Sequence, residues 1–453
     1  MEPGGNRIAA ARPDSWRATV NLRGLSVVRI AFALVAVGLA ANLIFNLVMA
    51  HRGFGYPYNI FVADPRDRFG DFFKVALGYP GPPVHALDPG WGLDKRMHVF
   101  AGQVVKFEGS PLNHFHMLPT ATLIGIGLRQ MIAAIDPGWA FVLTVGMMLS
   151  IVAIVAARVL PAGGGRGWMA ATALIAYPTI YAIDRGHLFA LICGTALIAG
   201  TARSLKLGRA DWICIALFAV ALNIRPNAGL IPLALFLFRT GWTFSDGVKL
   251  AVASVAMFAG AMMLANLVYP DYSLESFRRG LDDYSKLYLV RNFGQAFNSS
   301  LFGALKAMFG FHAWTFLLPI YTALALFLAG CMTAWRRPMR QSAMMFLVLS
   351  AYALGSQVFG DYHLLPFVLP VALLAREQGG DAVARWTVLL GSCAVLIPKN
   401  YIFQPGPFDS SWSWQVVINP AMLLVASVVV LVRLWRADAH DTAPNLTSAT
   451  VSA

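Results

Sequence analysis

The chain has 453 residues, of which 58% are hydrophobic and 13% charged, against about 25% charged residues in a soluble domain. A soluble globular fold is therefore excluded, and no stretch outside the apolar runs is long enough to build a separate core. The net charge of +13 is spread as short Lys and Arg clusters between apolar runs, which excludes a nucleic-acid face and matches the positive-inside pattern of a polytopic membrane protein.

Residues 1–24 read as a cytoplasmic tail bearing Arg7, Arg12, Arg17 and Arg23. The run Ile30–Ala50 follows without a charge and exceeds the roughly 7 to 15 apolar residues of a cleavable signal. It predicts a retained signal anchor with the amino terminus inside. Residues 25–436 then form one membrane domain, and 437–453 a disordered tail.

Residues 51–116 are a polar loop rich in Pro, Gly and His, placed outside by the first span, with Met97–Phe107 expected as a short interfacial helix. Its opening segment, Asp64 to Lys74, holds three carboxylates and three cations in eleven residues. Further apolar stretches run over 117–135, 139–157, 168–183, 187–202, 211–224, 227–238, 248–269, 313–335, 343–358, 363–375, 386–403 and 415–432. Several fall short of the roughly 20 residues that a span needs, so broken or tilted helices are expected.

Basic clusters at Arg336, Arg337 and Arg340, at Arg376 and Arg385, and at Arg433 and Arg436 recur at every second connection. With these inside, loops 270–312, 359–362 and 404–414 face out, and Arg158 with Arg166, Arg203 to Arg209, and Arg239 with Lys249 fall inside. A parity conflict remains. Either 117–135 is re-entrant, the preferred reading, or 211–238 is one bent span. The fold class is all-α integral membrane with about 12 transmembrane helices.

On this topology Asp67 and Asp71, Arg185 and His187, Arg225 and Asn227, Asn298, and Asp361 to His363 all approach the outer face. Asp71 is flanked by Phe69, Phe72 and Phe73, which would draw the segment toward lipid and raise the basicity of its carboxylate. Asp67 lies one helical turn away on the same face. Pairing with Arg66, Arg68 or Lys74 is the plain alternative. Asp184-Arg185-Gly186-His187 reads either as a turn with Asp184 capping the next helix or as a phosphate site. Arg225 stands among Asn223, Pro226 and Asn227 and needs a partner, either a phosphate or Asp184 or Asp282. Arg278 to Asn298 reads as a solvated amphipathic helix, and Asn298 also fits a glycosylation sequon. His114-Phe115-His116 has a metal-like spacing without a nearby carboxylate, so no metal site is expected. Cys193, Cys214, Cys331 and Cys393 are isolated in apolar segments and read as small buried hydrophobes.

In ordered combination these motifs resemble GT-C-type, polyprenyl-phosphate-sugar-dependent membrane glycosyltransferases, particularly glycosyltransferase family 87. The resemblance covers residues 25 to 376. It rests on Gly70-Asp71-Phe72-Phe73-Lys74-Val75, His114-Phe115-His116-Met117-Leu118-Pro119, Arg185-Gly186-His187, Arg225-Pro226, Asn298 to Leu301, and Tyr362-His363-Leu364-Leu365. His187 stands where an amide is commoner in the family, Arg225 where Lys is, and Lys74 where Tyr is.

The resemblance implies a GT-C-like bundle with a large first outer loop carrying short interfacial helices. It implies an inverting transferase in the cytoplasmic (inner) membrane with its active site facing the periplasm or exterior. A polyprenyl-phosphate-linked sugar, mannose or another hexose or pentose, would pass to a lipid, glycan or protein acceptor. Asp71 would be the base, with Asp67 the second candidate. Arg185, His187, Arg225, Asn227, Asn298 and His363 would bind substrate, and neither cofactor nor divalent metal is expected. The rival reading is a lipid-linked sugar flippase or solute transporter, which also needs many spans and intramembrane Arg and Asn, although the sequence shows no internal repeat.

Overall fold

The computed structural model describes residues 22–53, 72, 106–107, 110–111, 118–238, 241–290, 298–336, 339–377, 379–399, 403–405 and 411–436. Asp67, Asp71, His114 to His116 and residues 1–21 and 437–453 of the tails lie outside the described residues, and residues 22–24, expected in the amino-terminal tail, already belong to the first helix. Within them the fold is all-α apart from two small antiparallel ribbons, Lys106–Phe107 with Ser110–Pro111 and Phe403–Pro405 with Ser411–Ser413. Lys106 and Phe107, the last two residues of the helix expected over Met97–Phe107, pair as a strand instead; the rest of that stretch lies outside the described residues.

Among the described residues six helices are long and apolar enough to cross a membrane: Ser26–Met49, Gly138–Arg158, Leu188–Leu207, Phe244–Val268, Ala313–Trp335 and Trp414–Arg436. The protein is accordingly a membrane-embedded helical bundle. In chain order the helices are α1 (Leu22–His51), α2 (Pro119–Ala134), α3 (Pro137–Arg158), α4 (Gly165–Ile175), α5 (Tyr177–Arg185), α6 (Leu188–Leu207), α7 (Trp212–Ile224) and α8 (Leu230–Leu237). They continue with α9 (Phe244–Val268), α10 (Leu274–Tyr284), α11 (Leu301–Phe309), α12 (Ala313–Arg336), α13 (Gln341–Gly355), α14 (Val368–Arg376), α15 (Ala382–Leu396) and α16 (Trp414–Arg436).

Local chemistry sets the boundaries. Asp136 caps α3 by accepting from the Gly138 and Trp139 amides, with Pro137 at the first helical position, where its missing N–H costs nothing. Thr243 and Asp246 form a reciprocal capping box on α9, as expected where a short polar pair meets an apolar run. The stretch 168–183 is broken: Ala176 is extended and Pro178 follows at once, so α4 and α5 are separate helices.

One end of the bundle is basic. There Arg203 meets Asp211, Lys249 meets Asp246, and Arg433 meets Asp381 at 2.7 Å. Arg340 lies against Gly380, and Glu377 holds the Ser342 amide at 2.8 Å. Trp335 at the close of α12 reaches the Leu237 carbonyl of α8. The opposite end is called here the far end.

The α7–α8 segment leaves the basic end and returns to it. Gly241, beyond α8, has φ +87° and lies so close to the Gly208 carbonyl before α7 that a β-carbon there would fall 1.6 Å from the oxygen. Trp242 donates its indole N–H to Ser204 at 2.6 Å. Stretch 211–238 is thus an out-and-back hairpin with its tip at Arg225–Gly229, not one bent span. Helix α2 keeps to the far end: Thr122 near its start bonds Tyr272 beyond α9, and Ile132 near its finish shares a cluster with Leu188 at the head of α6. Both ends of α2 therefore lie at the far end.

The core follows apolarity. Helix α13 is buried on all sides from Ser342 to Leu354, as an evenly apolar helix must be at the centre of a bundle. Helix α9 is peripheral, with Val255, Met263 and Leu267 each about two-thirds exposed or more. Small residues allow close approach, as at Gly200, where an added β-carbon would meet the Phe218 ring at 3.1 Å. The four cysteines are free, three buried and Cys331 half-buried.

Candidate functional site

The site at the far end grows from the tip of the α7–α8 hairpin. Proline 226 cannot continue α7, so the residue before it, Arg225, is extended and Pro226–Gly229 turns as a 3-10 helix. Arg225 sends Nη2 to the Val358 carbonyl and rests its guanidinium 5.1 Å from the centre of the Phe359 ring, a cation–π position. Its partner is therefore neither Asp184 nor Asp282; the latter pairs with Lys286 on the exposed face of α10. Asn227 donates to Ser356, whose hydroxyl in turn donates to the Tyr352 carbonyl at 2.7 Å. Asn223 belongs to the packing, donating to the Ala219 and Ser254 carbonyls at 3.0 Å each.

The Ser356–Gly360 segment following α13 is the hub. Asn298, only 4% exposed, donates to the Gln357 carbonyl at 2.7 Å and accepts the Phe359 amide and the Ser300 hydroxyl at 2.9 Å each. Ser300 also caps α11. The next residues, Asp361–Phe367, form a buried 3-10 helix that carries Tyr362 and His363.

Gly186 adopts φ +71° and closes α5, a left-handed position that glycine takes without strain. His187 then caps α6, its Nδ1 accepting the Ala190 amide at 3.3 Å. Asp184 is thus not the cap expected from the sequence: it sits in the last turn of α5. With Nδ1 accepting, Nε2 carries the proton and is the donor of His187. The His187 ring stacks on Tyr362 at 4.2 Å, Tyr362 on Tyr181 at 5.6 Å, and Tyr181 on Tyr177 at 5.4 Å. Arg185 lies 5.8 Å over Tyr181, and His363 stands 5.7 Å from His187 and 5.6 Å from Phe359.

Arg185, His187, Arg225, Asn227, Asn298 and His363, drawn from separate segments, therefore converge around the 356–363 hub. Asp67 and Asp71 lie outside the described residues. Phe72, the residue after Asp71, is 1% exposed and makes an edge contact with Phe141 at 5.2 Å. It shares a buried cluster with Ile132 and Leu188, the latter next to His187.

Two participants, Lys399 and Asn419, are not among the sequence candidates, and Asp361 is placed by sequence at the outer face without a role. Lys399 donates to Asn419 Oδ1 at 2.8 Å, and Asn419 Nδ2 donates to both oxygens of Asp361 at 3.3 and 3.2 Å and to Ser299 at 3.3 Å. Asp361 is fully buried and Asn419 nearly so. The signals were a lone Lys in the 386–403 stretch, and an Asn before Pro420 in a helix that is otherwise apolar at that level.

Two polar atoms, Arg225 Nε and Asn227 Oδ1, are buried without a hydrogen-bond partner among the described residues. Such groups cost about 1–3 kcal/mol each if left unpaired, so the tip is suited to receive a ligand with acceptor and donor oxygens. Among the described residues no three His, Cys, Asp or Glu side chains group as metal ligands. No family model and no curated protein matches the chain.

Proposed function

We propose that the chain is an inverting GT-C-type glycosyltransferase that moves a sugar from a polyprenyl phosphate to a lipid, glycan or protein acceptor. The observation that carries the reading is the convergence of Arg225, His187, His363 and Asn298 at one end of the bundle, with Phe72 anchored beside Leu188. On this reading α1, α3, α4–α5, α6, α7, α8, α9, α12, α13, the 3-10 helix with α14, α15 and α16 would be the about twelve passages of a GT-C-like bundle. The basic end then lies in the cytoplasm by the positive-inside rule, in the cytoplasmic membrane, and the site faces the periplasm or cell exterior.

In this mechanism the Asp71 carboxylate, or Asp67 in its place, takes the proton of an acceptor hydroxyl. The hydroxyl oxygen attacks the anomeric carbon from the face opposite the phosphate, inverting it. The bond from that carbon to the phosphate oxygen breaks, and its electron pair leaves with the polyprenyl phosphate. Arg225, Arg185, His187 and His363 bind the departing phosphate and stabilise its charge. The leaving group needs no general acid, and no cofactor enters the scheme.

The buried Lys399–Asn419–Asp361 relay also suits a flippase or transporter, since such proteins bury coupling charges. Purified protein incubated with a labelled polyprenyl-phosphate sugar and an acceptor separates the two readings, because only the transferase releases free polyprenyl phosphate. Asp71→Asn should abolish that release while leaving membrane insertion intact. An Asp71→Asn protein with full transfer would remove Asp71 from the mechanism, and absence of release from the wild type would overturn the transferase reading.

A further inference from the structure

We propose that Lys399, acting through Asn419, is an electrostatic positioning residue: it compensates the buried Asp361 carboxylate and so leaves the positive field of Arg225 to an anionic ligand. The inference rests on the reading above in taking that ligand to be a lipid phosphate.

The geometry fixes each link. Asp361 has no exposed surface, and a buried carboxylate persists only with a compensating cation and hydrogen bonds to its oxygens. The Asn419 amide supplies the bonds, reaching both carboxylate oxygens through Nδ2 while its Oδ1 faces the Lys399 ammonium at 2.8 Å. With a donor on one side and acceptors on the other, the amide has one orientation, so the relay has a direction. Lys399 is further held 5.8 Å over the Tyr177 ring, at the far end of the aromatic stack that finishes on His187.

Asp361 is also close in the chain to the Arg225 contacts. It comes three residues after Val358, which binds the Arg225 guanidinium, and two after Phe359, whose ring lies beneath it. Every contact of Arg225 given by the described residues is to a neutral group. If Lys399 were removed, the charge of the buried Asp361 would be left beside the segment that holds the same cation proposed to bind the phosphate. A buried network of this kind rigidifies its surroundings, and this one also ties Ser299, next to Asn298, to the same centre.

The test uses the full-length protein purified in detergent and compares binding of decaprenyl phosphate with that of uncharged decaprenol, read by native mass spectrometry and by ligand-induced melting shift. Lys399→Met should weaken decaprenyl phosphate about tenfold and leave decaprenol unchanged. The double variant Lys399→Met with Asp361→Asn, which removes both charges, should return phosphate binding to within about threefold of wild type. Wild-type phosphate binding by K399M, a double variant as weak as the single, or equal weakening of both lipids would each overturn the proposal, the last by showing a merely structural role.

Should K399M fail to fold, Asp361→Asn alone decides the matter: it leaves an uncompensated cation and should bind decaprenyl phosphate at least as tightly as wild type, and weaker binding overturns the proposal. If wild-type protein does not distinguish the phosphate from the alcohol, the lipid-phosphate reading falls. The relay is then judged by melting temperature, where recovery in the double variant supports the Lys399–Asp361 compensation and additive losses overturn it.

Discussion

Asn298 and Phe359 hold two separate segments together at the far end: the Phe359 amide donates to Asn298 Oδ1 at 2.9 Å, and the Ser299 amide donates to the Phe359 carbonyl at 2.9 Å. Because Asn298 is almost fully buried, Asn298→Ala would leave the Phe359 amide and Gln357 carbonyl unpaired, at a cost of about 1–3 kcal/mol per group. The expected outcome is a clearly lowered melting temperature in detergent together with loss of transfer, since the same latch holds the segment that Arg225 grips. Asn298→Asp keeps the acceptor but loses the donor to Gln357 and buries a carboxylate without a cation, so it should melt no higher than Asn298→Ala. An Asn298→Ala protein melting like wild type would show that water takes over these bonds.

A glycine enforces the same latch. At Gly303, in the first turn of α11, an added β-carbon would lie 2.0 Å from the Asn298 carbonyl oxygen, and backbone cannot swing aside as a flexible side chain does. Gly303→Ala should therefore cost about 1–3 kcal/mol and reduce transfer. At Gly260 in α9 nothing lies within 4 Å of the same construction, so Gly260→Ala should be neutral or stabilising by up to about 1 kcal/mol through helix propensity. Paired melting curves check the contrast, and equal effects at the two positions would refute the close packing around Asn298.

What was legible in the sequence was polarity where it interrupts a long apolar run. Arg225-Pro226 and Arg185-Gly186-His187 stand out because a charge beside a helix breaker needs a reason, and both lie at the far end of the bundle. Lys399 and Asn419 do not stand out, because each is a single polar residue inside an apolar stretch, and its meaning comes from a partner distant in the chain. The Asn419–Asp361 bond spans 58 positions, a separation that no local periodicity encodes. The cap at His187 was hidden for a different reason: Asp184 has the better capping side chain, but the left-handed Gly186 ends α5 after it. The hairpin over 211–238 was visible only as one of two ways to settle the parity of crossings, because the Gly208–Gly241 contact that decides it is tertiary.

The basic end carries a pH dependence. The Arg203 guanidinium hydrogen-bonded to Asp211 holds that carboxyl well below the usual carboxylate range, and the hydrogen bond from Arg433 lowers Asp381. Both groups therefore bind protons less readily folded than unfolded. Their contribution is complete above the unfolded carboxylate pKa of about 3.9 and is lost as pH falls through the lower folded values. The melting temperature should drop steeply below about pH 4. Asp211→Asn and Asp381→Asn should lower it modestly at neutral pH and flatten the acid limb, because each loses the ion pair with Arg203 or Arg433 while the asparagine still caps α7 or α15. An acid limb unchanged in both variants would assign the acid loss to other carboxylates.

His187 has two separable roles, one structural and one proposed. Its Nδ1 caps α6 by accepting the Ala190 amide, while Nε2–H is the atom assigned to the lipid phosphate. His187→Ala removes both and should cost about 0.5–2 kcal/mol in stability as well as transfer. His187→Asn supplies a capping oxygen and keeps an N–H donor, so it should melt near wild type and retain most transfer, less what the 4.2 Å stacking on Tyr362 contributes. His187→Asp is the discriminating variant: aspartate caps as well as asparagine, so stability should hold, but an anion now faces the phosphate. Transfer should fall at least about tenfold relative to the Asn variant, with the loss appearing in the KM for the lipid donor, as expected when binding to ground state and transition state weakens together. If the Asp and Asn variants transfer sugar equally well, the phosphate role passes to Arg225 and Arg185, and His187 remains a helix cap that stacks on Tyr362.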